Sequence, residues 1–322
     1  MSKHLFGMIL THQSIYANNR GESEGNATTL QKVLRNGELY STVSSESIRY
    51  ALREGWQIAG RTLNRKAIDH RTLEITNKEF SDWPKYLDDD VMGFMHAKKE
   101  TVSRRGPLEI TRAISLNPWR GEIMHNFASP GSNPSVSGDD PIPYAVEVHD
   151  TRYQYGFAIT PGFFGKGKLD DKSELNGEQK KERLRFVLEG LVNLRRVGGN
   201  HARYLSDYSP EVIVLRWTDD PAPRFLYCFE ESEQGDIGLE PLLKRINGGD
   251  IDAAEVIIGT AIDFSGLRRS RNVGLSGKGK STNGGTENSA PDESLEAAQV
   301  KIEPGVKKAV ETLLEQIQPS TL

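Results

Sequence analysis

Apolar positions along the chain fall into a few clean runs separated by polar, glycine-rich stretches. Residues 4–16, HLFGMILTHQSIY, read as an opening strand. Over 46–59, Ile48, Ala51, Leu52 and Ala59 share one helical face. Arg49, Arg53 and Gln57 fall at i, i+4 and i+8 on another, and Ser44 and Ser45 precede them as N-caps. Tyr144, Val146 and Val148 alternate, as do Tyr153, Tyr155, Phe157 and Ile159. That is strand spacing, in one long strand or in a hairpin turning at Asp150. The clearest helix is predicted over 178–197, where Leu184, Val187, Leu188, Leu191 and Val192 make a core-facing stripe and Gly198-Gly199 supplies a stop. LQKVL (30–34) reads as a helical turn or strand, VIVLRW (212–217), RFLYCF (224–229) and VIIGTAIDF (256–264) as strands, and 303–317 as a small amphipathic helix.

This order approximates βαββαβ and predicts an α+β fold with a ferredoxin-like, RRM-type core. Residues 1–59 form the first part of that core and 60–140 a long insertion. Residues 141–268 form its second part, 269–302 a flexible linker, and 303–322 a C-terminal helix or tail. No internal repeat is visible.

Composition narrows the class. The chain has 322 residues, 36% of them hydrophobic and 27% charged, which suits a globular protein with some flexible sequence. No apolar run reaches the roughly 18 residues of a membrane span, and the N-terminus lacks a signal-peptide pattern. One cysteine, Cys228, excludes an internal disulfide; it alternates with apolar neighbours and is expected to be buried and inert. A cytoplasmic location follows as the simplest expectation. Net charge is −4, but unevenly distributed. Segments 44–66 and 98–112 each carry five basic residues against two acidic, and 178–203 carries seven against three. Segment 286–316 reverses the balance, with seven acidic against three basic. Local field rather than total charge governs phosphate binding.

GLSGKGKS (274–281) matches the P-loop pattern, whose glycine-rich backbone cradles phosphate while Lys280 and Ser281 would supply charge and hold Mg²⁺. The pattern needs a strand before it and a helix beginning within it. Gly284, Gly285 and Pro291 oppose that helix, so the tract reads as linker. Asp88-Asp89-Asp90 near His96 lacks a second ligand cluster and reads as a solvated loop. No metal, cofactor or catalytic signature emerges, and there is no G-x-S-x-G elbow. Binding signals are better. GGNHAR (198–203) follows Arg195-Arg196 and offers backbone amides, two polar side chains and a guanidinium, a loop suited to a sugar-phosphate backbone.

Five stretches in order, NNRGESEGN, SSESIRYALREGW, DDDVMGFM, RRGPLEITRAISL and GGNHARYLSDYSPEVIVLRW, resemble the CRISPR-associated DevR family over about residues 4–265. The resemblance implies the repeated backbone subunit of a type I, I-B-like Cascade effector, with an RRM-like palm, an inserted finger and a thumb hairpin. Implied partners are CRISPR RNA, neighbouring copies of the same chain, other Cascade subunits and a target DNA strand reached through guide pairing. The RNA contacts it implies are Asn18, Asn19, Arg20 and Asn26 in the first loop, and Ser44, Ser45, Ser47, Arg49 and Arg53 around the first helix. It also implies Arg104 and Arg105 in the basic stretch, and Gly199, Asn200, His201 and Arg203 in the glycine loop. Lys166 and Lys168 are weaker candidates. Type III relatives cut RNA with an Asp in the first loop, where this chain has Glu22 and Glu24 but no Asp. A non-enzymatic role is therefore expected. A metal-dependent RNA endonuclease and a transcriptional autoregulator, the latter suggested only by the family's label, are the alternatives.

Overall fold

The structure, a computed structural model, describes residues 2–17, 23–25, 27–68, 72–97, 101–128, 142–168, 171–198, 205–232, 235–262, 294–296 and 298–322. Among these, nine strands form a central sheet: β1 (His4–Thr11), β2 (Lys32–Arg35), β3 (Glu38–Val43), β4 (Leu108–Ile110), β5 (Ala113–Ser115), β6 (Tyr153–Ile159), β7 (Pro210–Thr218), β8 (Val256–Thr260) and β9 (Lys301–Pro304). Their spatial order is β9-β8-β7-β1-β6-β5-β3-β2, with β4 also paired to β6. The described helices are α1 (Ser45–Ile58), α2 (Leu87–Met92), α3 (Gly177–Val192), α4 (Glu240–Asn247) and α5 (Val306–Gln316). The fold is thus mixed α+β.

β1 lies at the centre, antiparallel to β6 on one side and β7 on the other. Its side chains alternate between two cores. Leu5 and Ile9 join Tyr155, Phe157, Ile213 and Leu215 under α1, α3 and α5. Phe6, Met8 and Leu10 join Val212, Val214 and Ile258 under α4 and the chain around 225–229. Burial on both faces explains why the strand reads as a continuous apolar run. It stops at Thr11, and Ser14–Tyr16 forms a separate strand paired with His149–Thr151.

α1 starts where its cap predicts, and Trp56 rather than Ala59 completes its buried stripe because the helix ends at Ile58. α3 begins with a capping box, in which Asn176 Oδ1 accepts from Gln179 N and Gln179 Oε1 accepts from Asn176 N, both at 3.0 Å. It ends at Val192, five residues earlier than its sequence predicts. The chain there leaves helical geometry and buries Leu194 and Val197 in the first core. α1 and α3 approach closely at Gly190, where a Cβ would sit 2.4 Å from Leu52 Cδ1. Trp56 Nε1 donates to Phe186 O across the same seam, at 3.0 Å.

Three further expectations are corrected. Residues 224–229 are not a strand; Arg224 and Tyr227 take positive φ (62° and 56°), and the segment covers the second core as irregular chain. Cys228 is buried within it, and burial pushes its thiol pKa up. The alternating run 144–159 is neither one strand nor a hairpin. Ile142–Glu147 pairs with Ile123–Ala128 and Ala27–Thr28, His149–Thr151 with Ser14–Tyr16, and β6 enters the central sheet. Residues 108–115, within the expected insertion, are β4 and β5 of the central sheet.

The C-terminal helix exists as expected, but it is no appendage. β9 pairs in parallel with β8, and α5 buries Ala309, Val310, Leu313 and Leu314 in the first core. The P-loop-like tract 274–281 lies outside the described residues. Leu313→Ala is expected to destabilise the protein by about 2–5 kcal/mol, the range for truncating a buried leucine. Lys308→Ala on the exposed face should change stability by less than about 0.5 kcal/mol. Denaturant titration of both variants checks the pair; equal midpoints would mean that α5 does not dock.

Candidate nucleic-acid interface

The chain passes from β3 into α1 at Ser44, whose Oγ accepts from Ser47 N at 3.2 Å and lies 3.2 Å from Ser47 Oγ. The Ser44 hydroxyl therefore works as the helix cap, and Ser47 supplies the capped N–H. Ser45, the first helical residue, is half-buried. Arg49 and Arg53 follow on one face and meet at a single residue. Arg49 Nη2 donates to Met92 O at 2.5 Å, and Arg53 Nη2 lies 3.3 Å from Met92 Sδ.

Met92 ends α2, and α2 overturns the reading of the aspartate triplet as a solvated loop. Asp88, Asp89 and Asp90 are all fully buried. Asp88 accepts from the backbone N–H of Asn64 (2.8 Å) and Arg65 (3.1 Å), and its Oδ2 lies 3.4 Å from Arg53 Nε. Asp89 accepts from Asn64 Nδ2 (2.7 Å) and Arg65 Nη2 (3.0 Å). Asp90 accepts from Arg104 Nη2 (2.7 Å), Gly165 N (2.9 Å) and Arg183 Nη1. Buried carboxylates survive as charges only when paired and hydrogen-bonded, and these are. The triplet ties together α1, the chain after it, the hairpin Gly93–His96/Val102–Arg105, and α3.

This hub reassigns Arg104. All five guanidinium N–H groups meet protein acceptors: Asp89 O, Asp90 O, Asp90 Oδ1, Phe163 O and Lys166 O. Its side chain is 3% exposed and lies 4.2 Å from the Trp83 ring centroid. Arg104 is a structural residue here, with no donor left for RNA. Arg105 is the reverse. Strand alternation turns it outward, 86% exposed, where it pairs with Glu109.

Arg49, Arg53 and Arg65 form the second electrostatic feature. Burial lowers the Arg49 and Arg53 pKa values, and the Arg65 charge is the next cause in both. Asp88 and Asp89 oppose the shift at Arg53. Burial raises the Asp89 pKa against its bonds to Arg65 and Asn64. Three guanidiniums thus crowd two carboxylates, leaving a cationic shoulder on which Arg49 is half-buried and balanced only by Glu46 nearby. An anion placed there would relieve like-charge repulsion.

Of the sequence-predicted residues, Arg49 and Arg53 come together, Ser44 caps their helix at the Ser47 N–H, and Arg104 and Arg105 face opposite ways. Asn18, Asn19, Arg20 and Asn26 lie outside the described residues, as do Gly199, Asn200, His201 and Arg203. Arg65 and Arg183 escaped sequence reasoning. The available signal was Leu87 and Val91, four residues apart, which marks the aspartates as a first helical turn. Among the described residues, no group of three or more His, Cys, Asp or Glu side chains could hold a metal.

Residues 14–233 match the model of the family described as CRISPR-associated negative auto-regulator DevR/Csa2. The chain belongs to the DevR/Csa2 family. A Myxococcus xanthus (strain DK1622) protein named CRISPR-associated protein Cas7/Cst2/DevR is 40% identical over 301 residues, 86% of this chain and 92% of that one. Two solved chains share the fold at low identity. One, from a pre-nicking CRISPR RNA-guided surveillance complex, is 12% identical with a TM-score of 0.59, covering 97% of this chain and 99% of that one. Another, from a CRISPR RNA-guided surveillance complex, is 13% identical with a TM-score of 0.56, covering 98% and 99%. This DevR/Csa2 member therefore shares their fold from end to end, including the C-terminal elements beyond the family match.

Asp90→Ala strands the Arg104 and Arg183 charges in a buried site. It is expected to cost about 3–5 kcal/mol of stability, as for breaking one partner of a buried pair. Glu109→Ala, at an exposed pair, should cost under about 1 kcal/mol. Urea melts compare the two, and a soluble, equally stable Asp90→Ala protein would refute the hub.

Proposed function

We propose that this protein is a non-catalytic, CRISPR RNA-binding backbone subunit of a type I, I-B-like Cascade effector. Several copies line one guide, and they support its pairing with a target DNA strand. In this reading the central sheet and its helices are an RRM-type palm, much of the region after α1 is the finger, and a hairpin acts as the thumb. The complex works in the cytoplasm with other Cascade subunits. The observation that carries the reading is 40% identity over 86% of the chain to the Cas7/Cst2/DevR relative. The Arg49–Arg53–Arg65 shoulder is consistent with it, because a phosphate there balances crowded guanidiniums.

In such an assembly, sequence is read by base pairing while protein grips backbone and shape. Cationic contacts to phosphate then set affinity, and binding weakens steeply with salt through counterion release.

The test is whether the protein expressed with a CRISPR array and purified retains one discrete small RNA. Arg49→Ala combined with Arg53→Ala is expected to lower retention for every guide sequence and to flatten the salt dependence by about 0.7–0.9 log units per lost phosphate contact. Because Arg53 also faces Asp88, a melting curve accompanies the RNA measurement, and Arg49→Ala alone serves as the milder variant. Unchanged retention in a folded double variant would remove the shoulder from the interface. Copurification of no RNA would remove the function. Cleavage of complementary RNA, abolished by Glu22→Ala with Glu24→Ala, would replace it with the endonuclease reading.

A further inference from the structure

A cleft of about 470 Å³ opens at the His4 end of β1, across the sheet end from Thr11. Its volume falls within the range of small-ligand sites. The floor is apolar, with Ala158, Pro107 and Pro221, and its aromatic part is the half-buried His4 ring, which stacks at 5.9 Å on Phe6, itself only 5% exposed. The rim is cationic. Arg105, Lys166 and Lys168 line it with Glu109, which Arg105 already pairs, and the Asp171 carboxylate is turned onto the backbone of the lysine loop. Lys166 Nζ lies 5.9 Å from the Phe163 ring centroid, and no protein carboxylate pairs it among the described residues.

The wall carrying these lysines is held in place. Arg104 Nε donates to Lys166 O at 2.9 Å, Arg104 Nη2 to Phe163 O at 3.0 Å, and Gly165 N to Asp90 Oδ1 at 2.9 Å. Asp171 Oδ2 accepts from Lys168 N at 2.7 Å and turns the loop back. The buried hub therefore fixes the backbone at Lys166, and among the described residues no carboxylate pairs the ammonium groups of Lys166 and Lys168. Loops fixed at the backbone with free cationic ends are suited to phosphate. An aromatic floor beside them is suited to a base.

We infer that this cleft binds a nucleoside monophosphate group, its base on the His4 ring and its phosphate between Lys166 and Lys168. Two sources share that chemistry: a free nucleotide, or the 5′-phosphorylated end of a strand. Arg105, Lys166 and Lys168 are also among the RNA contacts that the family resemblance implies, so the experiment follows guide RNA beside the nucleotide.

Titration calorimetry on the full chain with 5′-AMP tests it, with adenosine and inorganic phosphate as partial ligands. AMP is expected to bind more tightly than either. Lys166→Ala with Lys168→Ala should weaken AMP at least tenfold while leaving the melting curve unchanged. An oligonucleotide beginning with the same nucleotide, with and without its 5′-phosphate, separates the sources. Phosphate-dependent binding assigns a strand end, and exclusion of the oligonucleotide assigns the free nucleotide. No AMP binding, or equal binding by the double variant, would overturn the proposal and leave guide binding untouched. Loss of guide RNA together with AMP in that variant would overturn a separate site by merging the cleft with the guide groove.

Discussion

Three consecutive aspartates in a dry interior are the constraint around which this half of the molecule is arranged. Removing a carboxylate from water costs several kcal/mol even after relaxation, and adjacent carboxylates repel. The chain cannot bury Asp88, Asp89 and Asp90 unless partners arrive from several directions at once. They come as Arg53 from α1, Asn64 and Arg65 from the chain after it, Arg104 from the hairpin and Arg183 from α3. None of these elements can shift alone without leaving a charge unmatched. The hub thus fixes relative placement, a task that apolar packing of α1 on α3 through Leu52, Trp56 and Gly190 does not perform for the hairpin.

That constraint sorts the arginines. A count of basic residues in 44–66 and 98–112 treats every cation as available to an anionic partner. Burial divides them instead. Arg104 is consumed entirely within the protein, Arg53 and Arg65 are shared between carboxylates and the surface, Arg49 is half-buried against Met92 O, and Arg105 faces outward. Five guanidiniums around three carboxylates leave positive charge that the interior does not cancel. It emerges as the Arg49 shoulder, and Arg105 and Lys166 add the cationic rim of the cleft at the His4 end of β1. The same buried anions that absorb some cations hold the remainder in fixed positions, which lowers the entropy cost of binding an anion there.

Periodicity revealed the elements whose faces bury against one large partner. β1, α1, β7 and α5 follow from local spacing because each has a single apolar stripe or a fully buried run. It failed where partners change along the chain. Residues 144–159 keep their alternation while crossing three sheets, and pairing partners leave no trace in a period of two. Residues 224–229 look like a strand because Phe225, Cys228 and Phe229 must be buried, although left-handed turns at Arg224 and Tyr227 do the burying. The family match spans residues 14–233. It could not distinguish Arg104 from Arg105, because one residue of register decides which enters the hub.

The family match ends well before the fold does. Beyond residue 233 lie α4, β8, β9 and α5, and they close both cores. β8 presents Val256, Ile257 and Ile258 on its two faces, so without β9 and α5 it would be an apolar edge strand with one face open to water. Gly259 records how tightly that closure fits, because a Cβ there would lie 2.6 Å from Ala309 Cβ. The C-terminal segment, which composition presents as a tail behind a linker, is therefore part of the structural minimum. The arginines around the aspartate hub and the C-terminal residues that complete the core occupy different stretches of sequence. β1 joins them, since its two faces belong one to each core and it pairs directly with β7, the strand that β8 extends.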